Sequence, residues 1–105
     1  METIEFRRFF TEDDFVRVRF SIERGKVQEF VIQLECLFDE DWFPVVRYDC
    51  AHGFAHRDLL HPSRASEKTQ LEVADYNEAL TFAQKDIIAN WPTYRRRFEK
   101  WLPKK

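Results

Sequence analysis

Glycine, proline and cysteine are all scarce in this chain. Only two Gly and four Pro occur among its 105 residues, and no repeat or low-complexity tract is present. This composition excludes a linker-rich or repetitive protein and predicts one folded domain over residues 1–105. The two cysteines, Cys36 and Cys50, are too few for a disulfide framework and lack the paired spacing of a structural zinc site, so we expect both to be reduced.

Long apolar runs are absent as well. No stretch approaches the roughly 18 apolar residues that a membrane span needs, and Met1 to Glu5 lack the basic start and apolar run of a signal peptide. The sequence therefore predicts a cytoplasmic protein with no membrane partner. Apolar and aromatic side chains are abundant, at 44% and 16%, and they predict a packed, aromatic-rich core.

Two segments in the first half have the two-residue period of half-buried strands. The apolar positions that share one face are Val16, Val18, Phe20 and Ile22 in residues 15–22, and Phe30, Ile32, Leu34, Cys36 and Phe38 in residues 27–38. A three-residue loop from Arg24 to Lys26 opposes Phe20 to Phe30 and so brings the two apolar sets together. Gly25 then supplies the positive φ that such a loop needs.

Further strands are predicted at Ile4 to Phe10, at 43–51 and at 54–60, which gives an antiparallel sheet of four to six strands within residues 4–61. Pro44 has no N–H and therefore places its strand at a sheet edge or at a strand beginning. The second face of the sheet also carries apolar side chains, namely Val27, Val31, Leu37, Phe43 and Val45. Because a solvated face does not need this apolar area, it predicts a homodimer or another protein partner.

A long amphipathic helix is predicted over residues 75–102, after a loop at 62–74. Asp75 and Glu78 have the spacing of a capping box. The apolar residues that follow at helical spacing are Leu80, Ala83, Ile87, Trp91, Tyr94, Phe98 and Trp101. Pro92 removes one donor, and we expect a kink rather than a break there because the apolar stripe continues past it. The predicted fold class is α+β, with the antiparallel sheet packed on this helix.

The candidate site lies in the hairpin formed by residues 43–51 and 54–60. With His52-Gly53 as a two-residue turn, Asp49 opposes His56 and Arg47 opposes Asp58. The same register places the apolar positions on the other face, namely Val46, Tyr48, Cys50, Ala55 and Leu59. Because this one register places the polar side chains on one face and the apolar side chains on the other, we predict that Asp49 pairs with His56 and Arg47 with Asp58.

The side chains of Arg47, Asp49, His52, His56 and Asp58 together offer acid–base chemistry without a metal or another cofactor. A carboxylate opposite an imidazole favours the charged ring, which makes Asp49 and His56 an acid–base pair. His52 is the second proton-transfer group, and Arg47 can hold a phosphate through paired N–H donors. A base, an acid and a cation suffice to cleave RNA.

Other interpretations of the same side chains stay open. They are cross-strand ion pairs on a solvated face, each worth about 0–1 kcal/mol. Alternatively, His56 and Asp58 share a metal ion, with Cys50, His52 and His61 as further ligand candidates, although no recognised zinc spacing is present. Near the end of the chain, a solvated helix face or a phosphate contact is indicated by the basic residues Arg95, Arg96, Arg97, Lys100, Lys104 and Lys105.

One segment of the hairpin resembles a known family signature. It reads Arg47-Tyr48-Asp49-Cys50-Ala51-His52, with strands before it and a helix after it. It is similar to the Arg-Tyr-Asp-Asn-Ala-Pro-His-His signature of TumE-type toxins of prokaryotic toxin–antitoxin pairs, and it matches at Arg47, Tyr48, Asp49 and His52. The likeness is close over residues 42–61 and implies RNA as a substrate and a cognate antitoxin as a partner. The alternatives are a non-catalytic protein-interaction module and a small metal-binding protein.

Overall fold

The computed structural model describes residues 1–103 and contains a six-stranded antiparallel sheet followed by one helix. In chain order the elements are β1 Glu2–Thr11, β2 Asp14–Glu23, β3 Lys26–Phe38, β4 Asp41–Asp49, β5 His56–Leu59, β6 Glu67–Gln70 and α1 Tyr76–Trp101. Each strand pairs with the next one along the chain, so the order across the sheet is β1-β2-β3-β4-β5-β6. The predicted α+β fold is confirmed.

The β2–β3 hairpin has the register that its apolar residues indicated. Phe20 lies opposite Phe30, because this pairing places both apolar sets on the face that the helix covers. The turn is tighter than predicted: only Arg24 and Gly25 separate the strands, with φ of 51° and 78°. A register shift beside the turn takes up the extra residue, so the register and the positive φ at Gly25 are confirmed while the three-residue loop is wrong.

The chain between β5 and the helix is more than a loop, which corrects the prediction for residues 62–74. Glu67–Gln70 pair with β5 and form the edge strand β6. All four residues are exposed, so no apolar alternation marks this strand in the sequence and backbone pairing holds it in place. The strand β5, His56–Leu59, is shorter than the predicted 54–60, and the connection from β4 occupies residues 50–55.

Register shifts also move side chains from the second sheet face into the core. Three residues expected on that face belong to the core or pack against it: Val27, Phe43 and Val45. Between Leu34 and Glu35 the pairing with β4 shifts by one residue, which leaves Val45 without a direct partner on β3. Such a shift reverses the in–out alternation of the strand. The expected apolar set on the second face is therefore wrong in these members, and it keeps only Val31, which is exposed, and Leu37, which is half-buried.

The helix α1 is capped and oriented as its sequence indicated. Asp75 is the N-cap, and its Oδ1 accepts a hydrogen bond from the Glu78 N–H at 2.8 Å. The helix continues through Pro92 without a break. Its buried face, formed by Ala79, Leu80, Ala83, Ile87, Tyr94 and Phe98, packs mainly on β3 and β4. Within residues 1–103, no helix is long and apolar enough to cross a membrane.

Candidate functional site

Two neighbouring strands and the loop between them build a polar cluster. Asp49, the last residue of β4, lies opposite His56, the first residue of β5, as predicted. The connection spans residues 50–55 and bends at Gly53. The two-residue turn His52-Gly53 is therefore wrong, although the register that it implied is confirmed.

Both ring nitrogens of His56 have an oxygen neighbour. Nε2 lies 2.6 Å from Asp49 Oδ1, and Nδ1 lies 3.2 Å from the carbonyl oxygen of Phe54. Since the carbonyl oxygen of Phe54 and the carboxylate of Asp49 are acceptors, each contact is a hydrogen bond when the facing ring nitrogen carries a proton. The two contacts fix the orientation of the His56 ring between β4 and the loop.

Asp58 and Lys68 complete the cluster. Asp58 Oδ2 lies 3.6 Å from His56 Nε2, and Lys68 Nζ lies 3.6 Å from Asp58 Oδ1 and 3.3 Å from His56 Nε2. Asp58 is buried, and its Oδ1 accepts no hydrogen bond from the part of the chain that the structure describes. The ammonium of Lys68 is thus the cation that offsets this carboxylate.

Lys68 is the cluster residue that the sequence analysis missed. It lies on β6, directly opposite Asp58, in the segment that was predicted to be a loop. The opposite charges of Lys68 and Asp58 are a signal only when β6 is known to pair with β5. Nothing in the apolar pattern of the sequence marks that pairing.

The polar face of this hairpin is covered, not solvated. The ring centroid of His52 lies 5.8 Å from that of His56, and the Phe54 ring lies 5.4 Å from the same histidine. His56 is consequently only 1% exposed, whereas His52 is exposed. The expectation of a solvated face is wrong for His56 and Asp58, because the loop 50–55 packs against His56 and β6 pairs alongside β5, with Lys68 opposite Asp58.

Arg47 does not join the cluster, although it lies opposite Asp58 in the strand register as predicted. Its Nε donates to Gln33 Oε1 at 2.8 Å. Gln33 lies on β3, on the other side of β4 from Asp58, so the guanidinium is drawn away from the acid–base pair. The cationic position that the sequence analysis gave to Arg47 is held by Lys68.

Tyr48, which matches the family signature, connects the sheet to the helix. Its hydroxyl donates to Asp86 Oδ2 at 2.6 Å, and the hydroxyl of Tyr94 donates to the same oxygen at 2.5 Å. Burial, reinforced by the hydrogen bond to Asp86, raises the pKa of Tyr48 far above its ordinary value. This tyrosine therefore stays a neutral donor beneath the helix and lies on the face opposite the polar cluster.

A cavity of 430 Å³ adjoins the cluster at Asp49. Arg19, Glu29 and Cys50 also line it. The Cys50 thiol lies 3.9 Å from the carbonyl of Phe30, and burial raises its pKa. A thiol with a raised pKa is a poor nucleophile. The cavity is therefore a space next to Asp49 in which a ligand can lie, and Cys50 is not its reactive group.

Potential metal ligands converge in the same cluster. The described residues whose ligand atoms all lie within 4.8 Å of one another are Asp49, His56 and Asp58. His61 lies apart from them, because its Nε2 is 2.6 Å from Glu67 Oε2 and its ring stacks on Trp101. Lys68 Nζ lies 3.3 Å from His56 Nε2. The positive charge beside these potential metal ligands is therefore the ammonium group of Lys68.

Comparison with known proteins places almost the whole chain in one family. The family described as "Domain of unknown function (DUF7718)" matches residues 1–104. No curated protein and no solved structure matches the chain.

Proposed function

The chain belongs to the DUF7718 family, and we propose that it is an RNA-directed, RNase-like protein that acts in the cytoplasm as one component of a toxin–antitoxin pair. The observation that carries this proposal is the 2.6 Å contact between His56 Nε2 and Asp49 Oδ1. A histidine oriented by a carboxylate is a common general acid or base. The resemblance of residues 47–52 to TumE-type toxins supports the same function and implies a cognate antitoxin as partner.

Cleavage of RNA by this cluster needs two proton transfers. A base takes the proton of the ribose 2′-hydroxyl, and the 2′ oxygen attacks the phosphorus. The bond from phosphorus to the 5′ oxygen then breaks, and an acid protonates the departing oxygen. We assign these transfers to His52 and His56, and the cation that stabilises the charge on the phosphate to Lys68.

RNA reaches His56 only when the loop 50–55 moves, because His52 and Phe54 cover the ring. The exposed part of this loop has no regular secondary structure, and segments of that kind open at low free-energy cost. A shift of the loop that moves Phe54 aside and keeps His52 beside His56 would admit a phosphate next to Lys68, whose side chain is 41% exposed.

The proposal is tested by incubating the purified chain with single-stranded RNA in a buffer that contains EDTA. We expect fragments that end in a 2′,3′-cyclic phosphate, because the attacking group is the 2′ oxygen and no metal takes part. His52→Ala should lower the cleavage rate by about 100-fold or more. His52 is exposed, so this substitution leaves the fold intact.

His61→Gln is the matched control, since His61 contacts Glu67 outside the cluster. This variant should cleave RNA at the wild-type rate if it retains the wild-type circular dichroism. Intact RNA after incubation with the wild type, or cleavage that EDTA abolishes, would contradict the proposal.

A second candidate function is a non-catalytic protein-interaction module, and the burial of His56 favours it. In that case the cluster of Asp49, His56, Asp58 and Lys68 only holds the strands β4 to β6 together. Expression in cells separates the two functions. Growth arrest that His52→Ala or His56→Ala relieves supports the RNase-like protein, whereas harmless expression of the wild type supports the module.

A further inference from the structure

We propose that two copies of the chain pair through the outer edges of β1 and form a closed dimer with one continuous sheet. β1 is the first strand of the sheet, and among residues 1–103 it pairs on one side only, with β2. It spans Glu2–Thr11, and most of its residues are exposed. Its outer backbone N–H and C=O groups are therefore available to a second strand.

The two edges of the sheet differ in a way that favours β1 as the interface. The opposite edge, β6, has only four residues, Glu67–Gln70. Very short edge strands of that kind are typical of edges protected against pairing. The outer edge of β1 is ten residues long, which is enough to pair with another strand over its whole length.

The helix leaves apolar side chains of β1 uncovered. Phe6 lies opposite Val18, and Ile4 lies opposite Phe20, so both point to the face on which the helix packs. The helix packs mainly on β3 and β4, however, and Phe6 remains 43% exposed. A second β1 placed alongside would add its own Phe6 to this uncovered part of the sheet.

The charges of β1 favour one register for such a pair, because it forms two ion pairs. In a symmetric antiparallel pair, directly opposed residues share a face. One residue must therefore lie opposite its own copy, and the two-fold axis lies midway between these two residues. An axis at Phe6 opposes Glu5 to Arg7 of the second copy, and by symmetry this ion pair forms twice. An axis at Glu5 or at Arg7 would instead oppose that residue to its own copy, which is a repulsive contact.

The neighbours of Arg7 within the chain strengthen this choice. Arg7 lies directly opposite Arg17 on β2, so its neighbour within the sheet carries a like charge. Glu5 of a second copy would supply a carboxylate on the free side of Arg7. Glu5 and Arg19 already lie 3.5 Å apart with both side chains about half exposed, which leaves the carboxylate accessible to this second arginine.

The test is charge reversal followed by mixing, with the molecular mass measured by light scattering at about 100 µM because an edge-to-edge contact is small. The wild type should be a dimer. Glu5→Arg and Arg7→Glu should each raise the dimer Kd by about tenfold or more, since each replaces both ion pairs with like-charge contacts. An equimolar mixture should recover a heterodimer, because one chain then presents two arginines and the other two glutamates at the opposed positions.

Arg96→Glu, a charge reversal on the exposed side of the helix, is the control and should leave the dimer unchanged. Phe6→Cys provides an independent measurement, because directly opposed Cα atoms lie about 4.5–5.5 Å apart, within the range that a disulfide spans. Oxidation should give a covalent dimer of this variant and not of the wild type. A monomeric wild type, a dimer that resists both reversals, or a mixture that stays monomeric would overturn the proposal.

Discussion

The guanidinium of Arg95, in the second half of the helix, pairs with the carboxylate of Asp14, the first residue of β2. Arg95 Nη2 also donates to the carbonyl of Leu37 at 3.0 Å, and the guanidinium lies 4.4 Å from the centroid of the Phe38 ring. Asp14 is buried. Arg95 is thus a structural link between helix and sheet and not a member of a solvated basic face.

Arg95→Ala should therefore destabilise the protein by about 3 kcal/mol, because it leaves the carboxylate of Asp14 buried without its cation. The neighbouring Arg96 is exposed, and Arg96→Ala should change the free energy of unfolding by less than about 0.5 kcal/mol. Urea unfolding at neutral pH measures both values. Equal effects of the two substitutions would show that the ion pair contributes little.

The stability of the protein should fall at alkaline pH because of Tyr48. Burial raises the pKa of this tyrosine above its ordinary value, so the folded state keeps the phenol proton when the unfolded chain loses it near pH ~10. The stabilisation is complete below that pH and declines by about 1.4 kcal/mol per pH unit above it. Burial raises the pKa of Tyr94 in the same way, which steepens the decline.

Tyr48→Phe isolates this contribution. At pH 8 it should cost about 1.5–3 kcal/mol, because the hydrogen bond to the Asp86 carboxylate is lost. Between pH 9.5 and 11 the free energy of unfolding of the variant should decline less steeply than that of the wild type. Parallel pH profiles for the two proteins, measured by urea unfolding, would contradict this assignment.

Lys68 and Arg47 should differ in their effect on RNA cleavage, contrary to the roles that the sequence suggested. Lys68 Nζ lies 3.3 Å from His56 Nε2, whereas the Arg47 guanidinium donates to Gln33. If Lys68 stabilises the phosphate charge, Lys68→Ala should lower the rate about 100-fold. Arg47→Ala should lower it by less than about tenfold, and the reverse order of effects would return the cationic role to Arg47.

The parts of the fold that were predictable from the sequence are those marked by an apolar period or by a capping motif. The opposition of Phe20 and Phe30 follows from two apolar stripes that share one face, and the capping of the helix follows from the spacing of Asp75 and Glu78. β6 was not predictable, because backbone hydrogen bonds between exposed polar residues hold it. Lys68 could not be assigned to the site without that strand.

The site was predictable in its register but not in its environment. Pairing of Asp49 with His56 follows from the alternation of the two strands. The burial of His56 depends on the path of the loop, which places His52 and Phe54 against its ring. Six loop residues with one positive φ at Gly53 allow many paths, and the sequence contains no periodicity that selects among them.

Val45 lies in the hydrophobic core, whereas Val31 lies on the surface of the sheet. The sequence pattern gave both residues the same outward direction, but Val45 is 2% exposed in the core and Val31 is 36% exposed. Val45→Asn should therefore lower the free energy of unfolding by about 3 kcal/mol, because it buries an amide without partners and removes apolar contacts. Val31→Asn should cost less than about 1 kcal/mol.

Because β1 and not this face forms the proposed dimer interface, Val31→Asn should also leave the molecular mass in solution unchanged. Dissociation of a wild-type dimer by Val31→Asn, with the fold intact by circular dichroism, would move the interface from β1 to the second face of the sheet.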